Sequence, residues 1–185
     1  MSDNGLPRAL VRAGLALLDE EGPEGLTLRR IASRAGVSHA APAHHFGGLP
    51  GLKTAIALDG FQQFLEALSD SRDSLPADAS PFQRLLAVNM AYIDFANRHN
   101  ALFRLMFDQL PAQDPELRRI ALGSYVVLRD MCAPFAADHD DVVPVETAVW
   151  ALTHGFAALN LNQAFPPGSP VRVSGYEDAL RLLVN

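Results

Sequence analysis

The sequence predicts an all-α fold, and three observations carry that prediction. Apolar residues recur at i, i+3, i+4 and i+7 in one segment after another, as in Leu28, Ile31, Ala32 and Ala35. No stretch alternates apolar and polar residues with period two for long enough to argue a sheet. Clusters of glycine, proline, serine and asparagine separate the periodic segments at helix-length intervals.

Taken in order, Leu10, Ala13, Gly14 and Leu17 form the stripe of a first helix, roughly Pro7 to Glu21, ended by Gly22-Pro23. The segment Leu26 to Phe46, LTLRRIASRAGVSHAAPAHHF, then reads as two short helices joined by a tight turn. Thr27 is the expected N-cap of the first and Gly36 its left-handed stop. Val37 is expected in the core and Ser38 as the cap of the next helix. A turn this tight sets the second helix across the first, the arrangement that lets a recognition helix enter a DNA major groove. Small Ala32 and Ala35 permit the close crossing.

Beyond Phe46-Gly47-Gly48, a connecting helix is expected from Gly51 to about Ser71, with Ile56, Phe61, Phe64, Leu65 and Leu68 inward. Ser80-Pro81, a cap followed by an N1 proline, opens a helix from Phe82 to Arg98 that buries Leu85, Val88, Asn89, Tyr92 and Phe95. His99-Asn100 breaks it, and Ala101 to Phe107 follows as a short, very apolar helix. After a loop at Pro111–Pro115 come a helix from Glu116 to Ala133 and an aspartate-rich loop, Pro134 to Pro144. A long apolar helix, Val145 to Phe165, a linker, Pro166 to Ser174, and a last helix, Tyr176 to Val184, complete the order.

The N-terminal arrangement resembles the DNA-binding domain of the tetracycline-repressor (TetR) family of bacterial transcription regulators. The residues that carry the resemblance are Thr27-Leu28, Ile31-Ala32, Ala35-Gly36-Val37-Ser38, His45-Phe46 and Leu52. It implies a three-helix helix-turn-helix DNA-binding domain in residues 1–52 and a helical ligand-binding and dimerisation domain in 53–185. It also implies that Thr27, Arg29 and Arg30 meet the DNA backbone, that Ser38 reaches backbone or bases, and that His39, Ala40, Ala41 and His44 face base edges. The chain departs from the family pattern at Ala43, where a phosphate-contacting tyrosine is usual, and at Leu49, where a lysine is usual. Pro42 falls inside the expected recognition helix, at its fourth position if Ser38 is the cap. These departures leave a second reading open, a helical small-molecule-binding or interaction protein with degraded DNA binding.

Charge supports the DNA reading once it is divided along the chain. The formal net charge is −6 over 185 residues, yet residues 1–52 carry five basic and five acidic side chains. The hairpin from Thr27 to Phe46 holds three arginines, three histidines and no carboxylate, as phosphate contact requires.

Toward the C-terminus, Trp150 and His154-Gly155 resemble the Trp…His-Gly pattern of one TetR C-terminal subgroup. Ala148, Ala151, Gly155 and Ala158 line up small residues, so that another backbone can approach closely. By resemblance the last two helices pair with those of a second subunit, which places Ala151, Gly155, Ala158, Leu159 and Leu180 at a homodimer interface. Phe103, Met106 and Phe107, with Trp150 and His154, are the expected lining of an effector cavity, apolar with one or two polar groups. The rival is that all five fill a core.

Other function classes find little to stand on. No His-Glu-x-x-His, Gly-rich phosphate loop or Gly-x-Ser-x-Gly elbow occurs, so no enzyme activity and no cofactor are expected. His44 and His45 diverge by about 100° on a helix and cannot share a metal ion. Asp138-His139-Asp140-Asp141 lacks the periodic loop of a calcium site. The lone Cys132 excludes an intrachain disulfide and is expected buried and inert. No apolar run is long enough for a membrane span, and MSDNGLPRAL lacks the regions of a signal peptide, so cytoplasm is the expected compartment. The expectation is a homodimeric regulator that binds a double-stranded operator, more in keeping with a repressor than an activator, and responds to a small-molecule effector.

Overall fold

A computed structural model describes residues 5–109, 114–136, 141–161 and 173–184. Those residues fold into α1 (Gly5–Glu21), α2 (Leu28–Ala35), α3 (Ala41–Phe46), α4 (Leu49–Asp73), α5 (Pro81–Arg98), α6 (Asn100–Gln109), α7 (Pro115–Cys132), α8 (Val143–Leu159) and α9 (Tyr176–Val184). Single 3-10 turns lie at Pro23–Gly25 and Ala133–Phe135, and no strand occurs among the described residues. The all-α expectation holds. The aspartate-rich stretch 138–140 and the linker expected at 166–172 lie outside the described residues.

Two compact units divide the chain: residues 1–63 with 99–121, and residues 64–98 with 122–185. In the first, α1 packs on α2 and α6, and α2 on α3. The predicted α1 stripe is the buried face: Leu10, Ala13, Gly14 and Leu17 are all inside, joined by Leu18. Gly14 is required by a close approach, because a Cβ there would stand 2.5 Å from Ile56 Cδ1 of α4. Gly60 does the same where α4 meets α6, with Met106 Sδ 2.8 Å from the place of its absent Cβ. Ile31, Ala32, Leu52, Ile56 and Phe61 complete this core, each at most 2% exposed. Burying an aliphatic or aromatic side chain to this degree stabilises by about 1.5–3 kcal/mol relative to exposure.

In the second unit α5 packs on α8, and α8 on α9. Leu85, Val88, Asn89, Tyr92 and Phe95 of α5 are buried as their spacing predicts. A reciprocal cap holds the start of that helix: Gln83 N–H donates to Ser80 Oγ at 3.2 Å, and Ser80 N–H to Gln83 Oε1 at 2.8 Å. On the far side, Phe64 meets the ring of Tyr92 edge-on at 4.8 Å.

Helix α8 ends earlier than its apolar run predicts. Asn160 takes the left-handed conformation at φ 49°, and its N–H turns back to Ala157 and Phe156 carbonyls. An asparagine tolerates that backbone better than most residues, so it stops the helix although apolar residues follow.

Candidate functional site

The hairpin is built by local chemistry. Thr27 Oγ1 accepts the Arg30 N–H at 3.3 Å, which satisfies one of the first free donors of α2. Gly36, at φ 68°, ends the helix in the left-handed region, and the Val37 N–H reaches back to Ala32 O at 3.0 Å. Val37 is half-buried rather than a core residue.

The start of α3 differs from the expected cap. Its first residue is Ala41 and its N-cap Ala40, with no side-chain cap; Ser38 contributes its carbonyl to the Ala41 N–H at 3.0 Å. Ser38 itself is exposed, and its Oγ makes no hydrogen bond among the described residues. Pro42 falls in the first turn, where a backbone N–H has no intrahelical acceptor to lose, so it fixes φ without breaking a bond. Its ring is buried and anchors the short helix. Gly47 stops α3 at φ 67°. Six residues thus present Ala43 and His44 outward, with Ala41 half-buried and His39 and Ala40 exposed just ahead of them.

Electrostatics around the head are less uniform than its own sequence suggests. Glu20 and Glu21, in the last turn of α1, reach α2: Glu21 pairs with Arg30, and Glu20 with Arg34 through both guanidinium arms. The Arg34 hydrogen bonds hold the Glu20 carboxyl below its ordinary range, and Glu20 raises Arg34 in return. Arg29 is exposed and forms no ion pair among the described residues. It is the arginine of α2 whose charge is not already matched.

A surface cleft of about 570 Å³ in the first unit is lined by His45, Phe46, Gly51, Thr54, Ala55, Leu58, Asp114 and Pro115. None of the five residues expected around an effector lines it. Phe103, Met106 and Phe107 belong to the same unit as this cleft but fill its core: Phe103 and Met106 are at most 2% exposed. The Phe103 ring lies 4.7 Å from that of Phe107, which in turn meets Phe61 at 5.6 Å.

Trp150 and His154 belong to the second unit, within a polar network that periodicity does not reveal. His154 Nδ1 and Tyr92 Oη share a hydrogen bond of 2.8 Å, and desolvation lowers the His154 pKa, which favours the neutral imidazole. Burial pushes the Tyr92 phenol up, and a hydrogen bond from Trp150 offsets part of that. Trp150 itself is 39% exposed, with its ring edge-on to Tyr125 at 5.7 Å. Tyr125 Oη donates to Glu146 Oε2 at 2.5 Å, and Glu146 is 2% exposed. Thr153 Oγ1 contacts Tyr176 Oη at 2.8 Å. Cys132 is buried, and burial together with the Glu146 charge pushes its thiol up to about 12. Five side chains of this unit keep buried polar atoms that make no hydrogen bond among the described residues: Asn89, Asn97, Ser124, Asn160 and Glu146 through Oε1. Of these, only Asn89 is expected inside from its spacing; a buried glutamate in a sequence that reads VPVETAVW gives no periodic signal.

The faces offered for dimerisation divide as well. Ala151 and Leu159 are exposed, Gly155 and Ala158 half-buried, and a Cβ at Gly155 would meet nothing within 4 Å. Leu180 is fully buried in its own unit, so it cannot face outward; Leu182, 86% exposed, holds the outward place on α9.

Comparison with known proteins agrees with this architecture. Residues 10–49 match the family described as bacterial regulatory proteins, tetR family, and residues 85–183 match the tetracyclin repressor-like C-terminal domain. The HTH-type transcriptional regulator BetI of Paraburkholderia phytofirmans is 31% identical over 152 residues, 81% of this chain and 75% of that protein. Among solved structures, a Rhodococcus sp. RHA1 protein of unknown function superposes with a TM-score of 0.76 at 27% identity, over 96% of this chain and 90% of the other. PfmR of Thermus thermophilus, a TetR family transcriptional regulator, shares the fold with a TM-score of 0.62 at 20% identity, over 95% and 96% of the two chains. A capped α2, a glycine-stopped turn, a short exposed α3 and matches over both parts of the chain lead to one statement: the chain belongs to the TetR family of transcriptional regulators.

Proposed function

We propose that this regulator is a homodimeric repressor, released from its operator by a small molecule bound in its C-terminal part. In this reading residues 1–52 bind DNA and 53–185 sense and dimerise. Thr27, Arg29, Arg30 and Ser38 hold phosphates, and His39, Ala40, Ala41 and His44 address base edges. The observation that carries it is the head itself: these residues are exposed or half-buried, and α3 holds no carboxylate. Ala40 and Ala41 suit thymine methyl groups, and His39 suits a purine acceptor.

For dimerisation the reading relies on the open side of α8. Ala151, Gly155, Ala158 and Leu159 offer a shallow, apolar surface on which a second backbone fits, with Leu182 in place of Leu180 on α9. The sensor centres on Trp150 and His154, the marker of the Trp…His-Gly subgroup. Phe103, Met106 and Phe107 support the fold of the other unit.

An effector works only if it binds the DNA-free and DNA-bound states with different affinities. The direct test uses Trp150, the sole tryptophan. A compound that releases operator DNA in fluorescence anisotropy should also change Trp150 emission. The His154→Ala protein should need a higher effector concentration while binding DNA normally in its absence. An effector that acts equally on wild type and on both His154→Ala and Trp150→Phe would put the sensor elsewhere. Failure to bind any duplex at low salt would leave an interaction protein that has lost DNA recognition.

A further inference from the structure

We propose that Glu146, Tyr125 and Trp150 form a recognition site for a small organic cation, an ammonium group carried on an apolar body. The proposal rests on the effector reading above and names the chemistry of its ligand. Glu146 is an acidic side chain placed where a charge is costly: it is 2% exposed and forms no ion pair among the described residues. Its Oε2 accepts the Tyr125 hydroxyl, but Oε1 makes no hydrogen bond among the described residues. Arg129, whose charge acts on Tyr125, has its guanidinium committed to Asp130 at 3.0 Å. A buried carboxylate with one idle oxygen and no counter-charge is complementary to a donor that brings positive charge with it.

The surroundings define the rest of the ligand. Tyr125 links the buried carboxylate to the exposed indole: its hydroxyl meets Glu146, and its ring meets Trp150. Glu146 and Trp150 lie one turn apart on the same side of α8, so a ligand entering beside the indole encounters two aromatic rings and then the carboxylate. Aromatic faces attract a cation within about 6 Å and shelter its hydrocarbon part. An anion would face Glu146 across an apolar wall. A metal ion is a poor fit, because no group of three His, Cys, Asp or Glu side chains gathers among the described residues. The neighbouring Cys132 is held as a neutral thiol, not the thiolate that binds metals.

The test is calorimetric titration of the full chain, with Trp150 emission recorded in parallel, against three probes of one shape. Benzylamine is an ammonium at pH 7, benzyl alcohol is neutral and benzoate is an anion. Wild type should bind the ammonium at least about tenfold more tightly than the alcohol, the margin of a charged hydrogen bond, and should not bind benzoate. Glu146→Gln, nearly isosteric and still able to accept from Tyr125, should lose the preference while keeping its affinity for the alcohol. Tyr125→Phe should keep the preference. If Glu146→Gln does not fold by circular dichroism, the wild-type comparison and Tyr125→Phe decide. Equal binding of amine and alcohol, a preference retained in Glu146→Gln, or no binding of any probe overturns the proposal. Amine and alcohol releasing DNA equally would remove the cation and leave the effector reading standing. Binding through Glu146 with no effect on DNA would do the reverse.

Discussion

Arg29 and Arg30 are neighbours on α2, both exposed, and the structure predicts different consequences for removing them. Each phosphate contact that releases counterions contributes a slope of about 0.9 to the dependence of log K on log salt. From the sequence, Arg30→Ala is expected to flatten that slope by about one unit. The ion pair alters the expectation: Arg30 must leave Glu21 to reach a phosphate, and the freed carboxylate takes up a cation in its place. The net release from Arg30 is then near zero. Arg29 has no such partner among the described residues, so its charge counts in full. In a dimer the loss is doubled, and Arg29→Ala should flatten the slope by about 1.8. Between 50 and 200 mM salt the wild-type protein should lose about twelvefold more affinity than Arg29→Ala. Fluorescence anisotropy at four salt concentrations, on one operator and one unrelated duplex, measures this directly. Arg29→Ala should weaken both duplexes alike, whereas Arg30→Ala should leave the slope nearly unchanged. A slope that drops for Arg30→Ala and not for Arg29→Ala would refute the argument from the Glu21 pair.

Two further outcomes follow from the second unit. Gly155→Leu should weaken self-association by about 1–3 kcal/mol through overpacking, with wild type sedimenting near twice its 20.0 kDa chain mass. Folding should be little affected, because a Cβ at this position meets nothing within 4 Å in its own protomer. His154 has a folded-state pKa below its ordinary value, so the unfolded chain binds its proton more readily. Its contribution to stability is complete above about 6.5 and is lost as pH falls through the folded pKa. Melting curves at pH 7.5 and 5.5 should therefore separate less for His154→Gln than for wild type.

What the sequence discloses is the local part of this structure. Thr27, Gly36 and the Ile31-Ala32 stripe act within one or two turns, so their spacing alone specifies α2 and its end. The same holds for Ser80-Pro81 at the start of α5. Ser38 misleads because two residues separate the turn from the helix, and Ala40 takes the cap position with no cap side chain. The apolar run beyond Leu159 conceals the stop at Asn160, a backbone conformation that composition does not disclose. Features that depend on residues far apart are not legible at all. Glu20 and Glu21 read as the solvated end of α1 but neutralise two arginines of α2. Glu146 reads as one acid in an apolar helix, and only the packing of α8 turns it inward beneath Tyr125. Leu180 and Leu182 are both leucines of α9; which of them faces out is settled by the helix's rotation against α8.

The central claim is that α2 and α3 read DNA, and selection from a random duplex pool tests it most directly. After several rounds with the full chain, the enriched sequences should converge on a pseudo-palindrome with half-sites separated by about one helical turn or a multiple of it. His39→Ala should relax the preference at one base pair in each half-site and leave the others intact. A pool that remains random at low salt, or converges identically when His39 and His44 are both replaced by alanine, would contradict the account.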